Sequence, residues 1–90
     1  MARVEIYISS TILDRRGGLA IDTDSVGDAL MKIVGRFGGK LKIDFFDDKG
    51  RLNKFIEVFV NGKNIDLLDG LQTKLLDGDR VNIMRVVSGG

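Results

Sequence analysis

Hydrophobic and polar positions alternate from Ala2 to Ser10: Val4, Ile6 and Ile8 fall on one parity, and Arg3, Glu5 and Tyr7 on the other. A period of two with β-branched residues predicts a strand buried on one face. Asp14-Arg15-Arg16-Gly17-Gly18 has turn chemistry, and Leu19 and Ile21 resume the alternation, so the two runs read as a hairpin. The period changes near Thr23. Asp24 or Ser25 can accept the free N–H groups of a first helical turn, and Ser25 with Asp28 resembles a capping box. Val26, Leu30, Ile33 and Phe37 then follow at spacings of 4, 3 and 4, one face of a helix. Asp28 and Lys32 stand four apart in the favourable acidic-first order. Gly27 and Gly35 weaken this helix by about 1 kcal/mol each relative to alanine, and Gly38-Gly39 ends it.

Lys40 to Phe46 reads two ways. Leu41, Ile43 and Phe45 alternate as in a strand, but a short helix fits the same residues. Asp47-Asp48-Lys49-Gly50 is a turn. Phe55 to Val60 is a strand closed by the tight-turn pair Asn61-Gly62. A polar segment containing Gly70 follows, then the turn Asp77-Gly78-Asp79 and a last strand from Arg80 to Val87. One helix covering a small mixed sheet makes an α+β domain of residues 1–87, with 88–90 as a glycine tail. The first and last strands are expected side by side in its centre.

Composition narrows the chemistry. The chain has 90 residues, enough for one modest core. Fourteen basic against thirteen acidic residues give a net charge of +1, which supplies no field for nucleic acid or membrane. With no cysteine and no histidine, disulfides, thiol nucleophiles, His–Cys metal sites and triads are excluded. No apolar run is long enough to span a membrane, and MARVEIYI is not a secretion signal, so the expected compartment is the cytoplasm.

Parity marks one candidate surface. Arg3 and Glu5 set the outward side of the first strand, which Tyr7 shares; Glu57 sets it for Phe59, and Asn82 for Met84 and Val86. A patch of Tyr7, Phe59, Met84 and Val86 on the polar side of a sheet points to a partner, since aromatics and methionine are enriched at interface cores. Scattered surface apolar residues are the plainer alternative. The same rule turns Arg85 inward with Val81 and Ile83, from which a frayed or bulged strand is expected there. Arg80 and Arg85 flank the tail strand and offer cations to an acidic groove on a partner. Asp47-Asp48 reads as a solvated turn rather than a metal loop, and Arg15-Arg16 as a hairpin turn rather than a phosphate contact. The terminal Gly89-Gly90 is either a loose end in a glycine-rich chain or a backbone slim enough to thread a partner's active site.

FVNGKNI (Phe59 to Ile65), GLQTKLLDGDRVNI (Gly70 to Ile83) and VVSGG (Val86 to Gly90) resemble, in order and spacing, the ubiquitin-like sulfur carriers of the MoaD/ThiS family. The nearest pattern is the small subunit of molybdopterin synthase. That family often has proline before the last glycines, where Arg85-Val86-Val87 stands here. The resemblance implies a β-grasp fold with a mixed sheet of four to five strands over one main helix. It also implies a carrier role for the Gly90 carboxylate, with Gly89 beside it. An adenylating enzyme of the MoeB/ThiF type activates that carboxylate with ATP, a sulfur donor protein converts it to a thiocarboxylate, and a large synthase subunit of the MoaE type receives the sulfur. ATP and zinc belong to the partners, and no cofactor is expected on the chain itself. No acid, base and nucleophile converge in the sequence, so it reads as a carrier and not an enzyme. A ubiquitin-like modifier joined to lysine through Gly90, a thiamin or tRNA sulfur carrier, and a plain β-grasp interaction domain are the alternatives.

Overall fold

The alternating runs become strands β1 (Ala2–Ile8), β2 (Leu19–Thr23), β3 (Ile56–Val60), β4 (Lys63–Asn64) and β5 (Arg80–Arg85). The structure, a computed structural model, describes residues 1–86. The strands form one sheet in the order β2-β1-β5-β3-β4. β1 and β5 lie parallel at its centre, as expected, and the other pairs are antiparallel. Val4, Ile6, Val58, Val60, Val81 and Ile83 all point to the buried side. At the β3–β4 turn Asn61 (φ 52°) and Gly62 (φ 84°) are both left-handed, the geometry a two-residue hairpin needs.

Helix α1 (Val26–Phe37) packs on that buried side with Val26, Ala29, Leu30, Ile33 and Val34. Ser25 Oγ accepts the Asp28 N–H at 3.1 Å. The Asp28 carboxylate does not close the box on Ser25; its Oδ2 accepts the Thr23 hydroxyl at 2.7 Å and the Asp24 N–H at 3.4 Å. Thr23 is buried, so this bond satisfies a polar group that would otherwise cost free energy. Gly27, weak in a helix, has a packing reason: a Cβ there would lie 3.1 Å from the Leu71 carbonyl oxygen.

Three expectations need correction, and one open reading is resolved. Phe37 continues the helical face in sequence but is 37% exposed, because α1 there has passed the end of the core. Residues Lys40–Phe45 form a second helix, α2. Leu41 and Phe45 are four apart and buried together, whereas Ile43 sits on the opposite side and is exposed; the apparent alternation is one helical turn. The segment after β4 is no polar linker. It makes 3-10 turns at Ile65–Leu67 and Gly70–Gln72, and it buries Ile65, Thr73 and Leu75. Its apolar residues are too widely spaced to show a period. Finally, β5 neither frays nor bulges at Arg85, which keeps its register opposite Ile56.

The expected turns form after Asp47 and at Asp77-Gly78, but Asp14 to Gly18 makes none: the turn falls at residues 10–12, within the longer connection from β1 to β2. Asp47 Oδ1 accepts the N–H groups of Lys49 and Arg51, both at 2.9 Å, and its Oδ2 takes Arg51 Nε at 3.1 Å. These bonds hold the Asp47 carboxyl below its usual range. The carboxylate is thus committed to closing the turn.

Candidate functional site

Strand pleating sends alternate side chains of β1, β5 and β3 to the side away from α1. The pairing register lines them up in rows. Tyr7 stands opposite Asn82, and Asn82 opposite Phe59, so one row crosses three strands. Glu57 stands opposite Met84 in the next row. The Val86 N–H donates to the Phe55 carbonyl at 2.7 Å, which adds a row of Phe55 and Val86. Phe55 is 41% exposed, Met84 48% and Val86 37%, while Tyr7 and Phe59 are half-buried. The apolar rows therefore climb the outer face toward the point where the chain continues into the tail.

Charge frames this patch. The Arg80 guanidinium lies 5.0 Å from the Tyr7 ring centroid, and its Nη2 is 3.7 Å from Glu5 Oε1. The Tyr7 hydroxyl donates to the same Glu5 oxygen. That hydrogen bond, then burial, then the Glu5 charge hold the Tyr7 phenol above its ordinary range, with Arg80 opposing. Gly18 presses on this pair: a Cβ there would lie 3.0 Å from Glu5 Cγ and Tyr7 Cζ. Lys54 caps the far end, its Nζ 5.3 Å from the Phe55 ring centroid.

Of the residues expected at a docking face, Tyr7, Phe59, Met84, Val86 and Arg80 share this surface. Arg85 does not. It lies on the helix side of the sheet, and its Nη2 is 3.7 Å from Asp44 Oδ1 of α2. Strand parity holds for it despite its charge, because the carboxylate of Asp44 receives the guanidinium there. Gly89 and Gly90 lie outside the described residues. Phe55 belongs to the surface without having been expected there, although it shares the parity of Glu57 and Phe59. The place of Gly18 beside Tyr7 has no sequence signal, because a loop glycine shows no period. Among the described residues no group of three or more acidic side chains could hold a metal ion, and no helix is long and apolar enough to cross a membrane.

The family model described as the ThiS family matches residues 19–90. A candidate sulfur carrier protein of Archaeoglobus fulgidus is 34% identical over 76 residues, covering 83% of this chain and 86% of that one. The sulfur carrier protein CysO of Mycobacterium tuberculosis is 25% identical over 91 residues, covering 97% and 98%. Among solved structures, the small archaeal modifier protein 1 of Methanosarcina acetivorans superposes with a TM-score of 0.84 at 31% identity, over 100% of this chain and 98% of that one. The fold is thus the β-grasp, as the sequence resemblance implied.

Proposed function

This chain belongs to the ThiS family of ubiquitin-like sulfur carriers, and we propose that it works through the Gly90 carboxylate. In this reading an activating enzyme presents ATP to that carboxylate. One carboxylate oxygen attacks the α-phosphorus, pyrophosphate leaves, and the glycine becomes an acyl-adenylate. A donor-protein persulfide then displaces AMP to give an acyl disulfide. A partner's thiolate attacks the donor's sulfur of that S–S bond, forming a disulfide with the donor and leaving a terminal thiocarboxylate on the glycine. The carrier contributes no side-chain nucleophile. Its contribution is position: the apolar rows of Phe59, Met84, Phe55 and Val86 hold the partner, and Val86, four residues before Gly90, belongs to them.

The observation that carries this reading is the ordered motif set ending in Gly89-Gly90, within a family match that runs to the last residue. The large subunit of molybdopterin synthase is the recipient proposed from the sequence pattern; the named relatives are a carrier without a stated pathway, a CysO and a modifier. A second reading has its own support. Likeness to a small archaeal modifier at 31% identity favours conjugation of Gly90 to lysines of other proteins. Intact mass of the protein purified from its own cells separates the two. A thiocarboxylate on the free chain supports the carrier, and isopeptide-linked conjugates support the modifier. An unmodified chain after incubation with ATP, activating enzyme and sulfur donor counts against both.

A further inference from the structure

Two arginines meet over one aromatic ring near the end of the sheet where β1 and β5 finish. β1 and β5 run parallel, and the Ser9 N–H donates to the Ile83 carbonyl at 2.9 Å, so the connection of residues 9–18 starts beside the end of β5. That connection folds over to the last turn of α1. The Arg15 guanidinium carbon is 5.6 Å from the Phe37 ring centroid, and that of Arg36 is 6.0 Å from the same centroid. The aromatic ring attracts each cation, while the two like charges oppose their own gathering.

The counter-charges are missing. Arg3, Arg51, Arg80 and Arg85 each stand within ion-pair distance of a carboxylate. Among the described residues Arg15, Arg16 and Arg36, the chain's other arginines, form no ion pair. The Arg15 Nη1 atom is moreover buried with no hydrogen-bond partner. A guanidinium nitrogen shielded from water and given no acceptor is an uncompensated desolvation within the isolated chain. Phe37, past the end of the core, is covered on one side by those guanidinium groups and is still 37% exposed.

We propose that Arg15, Arg36 and Phe37, with Arg16 next in the chain, form a second contact surface for the activating enzyme, and that they take aspartate and glutamate side chains on the rim of its active site. The proposal rests on the carrier reading, because a chain whose end must enter an active site gains from having that end oriented first. The guanidinium fork matches a carboxylate through two parallel hydrogen bonds. A nucleic acid is the poorer fit: three cations on a chain of net charge +1 release few counterions. Opposite charge on the two partners speeds productive encounter, and the apolar rows then fix the dock.

The test uses the full chain, its cognate activating enzyme and ATP, with adenylation rates measured from about 0.05 to about 0.3 M salt. In the Arg15→Gln/Arg36→Gln variant, KM is expected to rise about tenfold with kcat unchanged, and the fall of kcat/KM with salt to flatten. Arg15→Glu/Arg36→Glu is expected to be worse at low salt and to recover partly as salt screens the repulsion. Denaturation midpoints establish that both variants fold; Arg36→Gln alone, on the exposed last turn, carries the same test if a double variant does not. Parent-like KM and salt dependence in the variants overturn the proposal. So does a variant that keeps its KM but loses binding to a structured RNA that the parent retards. A parent chain that is never adenylated overturns the carrier reading itself, whereas an adenylated parent with indifferent variants overturns this surface alone.

Discussion

Arg85 and Asp44 join the end of the central strand β5 to the short helix α2, with Nη2 and Oδ1 3.7 Å apart on the helix side of the sheet. Both side chains are only partly exposed, at 35% and 23%. The pair closes the core at the end of β5, with Asp44 next to the buried Phe45 in the chain and Arg85 opposite Ile56 in the strand register. The long arginine stem covers apolar surface there while its head reaches the carboxylate.

From this placement Arg85→Ala is expected to lower stability by about 1 kcal/mol and leave partner affinity unchanged. Arg80→Ala, on the outer face over Tyr7, is expected to do the reverse. Urea midpoints beside a binding titration with the activating enzyme check the contrast. Loss of affinity with unchanged stability in Arg85→Ala would place the docking surface on the helix side.

Asp28 links local structure to pH. Its carboxyl is held below its ordinary value of 3.8, first by the Thr23 hydroxyl and also by the Lys32 ammonium and the Asp24 N–H. The folded chain therefore binds this proton less tightly than the unfolded chain. The resulting stabilisation is present in full above that ordinary value and is lost as pH falls through the lowered folded one. Asp28→Asn keeps an acceptor for Thr23 but removes the charge. It is expected to be less stable than the parent at neutral pH, with the gap closing as pH falls below that ordinary value. Asp22 and Asp47 are also held low and titrate in the same window, so the difference between parent and variant isolates Asp28. A gap of constant size across that range means the charge contributes nothing.

Strand parity and helical spacing make most of the fold legible in the sequence. Val4 and Ile6, Val58 and Val60, and Val81 and Ile83 repeat at two, and a one-residue slip of any strand would turn its set to the outer face. What escapes lies where an element is too short for its period to show. Six residues of α2 contain one pair, Leu41 and Phe45, that distinguishes a helix from a strand. The segment from Ile65 to Leu75 buries residues held by 3-10 turns, which have no long repeat. The outer face is legible through its polar markers Glu5, Glu57 and Asn82. Phe55 escapes because it opens its run, where an aromatic residue looks like the beginning of the core side. Arg85 escapes because its partner Asp44 sits in the ambiguous segment. The arginine cluster at Phe37 depends on a loop crossing to the end of a helix, a contact no local pattern encodes.

The tail prediction separates chemistry from folding. Deleting Gly90 is expected to abolish ATP–pyrophosphate exchange with the activating enzyme while the denaturation midpoint shifts by no more than about 0.5 kcal/mol. Gly89→Val is expected to slow exchange with equal indifference in stability, since a β-branched side chain is wider than glycine and stiffens the chain. Exchange that persists in the deletion would show that Gly90 is not the activated residue.

Met84 offers the cleanest separation of docking from folding. It stands opposite Glu57 on the outer face and is 48% exposed. A lysine placed there meets a carboxylate across the strand, and such opposite-charge pairs contribute roughly 0.2–1 kcal/mol. Met84→Lys is therefore expected to fold as stably as the parent or slightly better. In a complex the same ammonium would be forced into the apolar rows of Phe55, Phe59 and Val86, where a charge without a partner is costly. Central interface residues of this kind cost about 2 kcal/mol or more when disrupted, which is roughly 30-fold in affinity. Phe59→Glu tests the same face less cleanly. It places a second carboxylate on the strand of Glu57, and Phe59 is half-buried beside Asn82. The deciding measurement is a binding titration of Met84→Lys with the activating enzyme, run beside its urea midpoint. A stable variant that binds like the parent removes the outer sheet face from the interface and leaves the tail, with the arginines near it, as the only contacts to test.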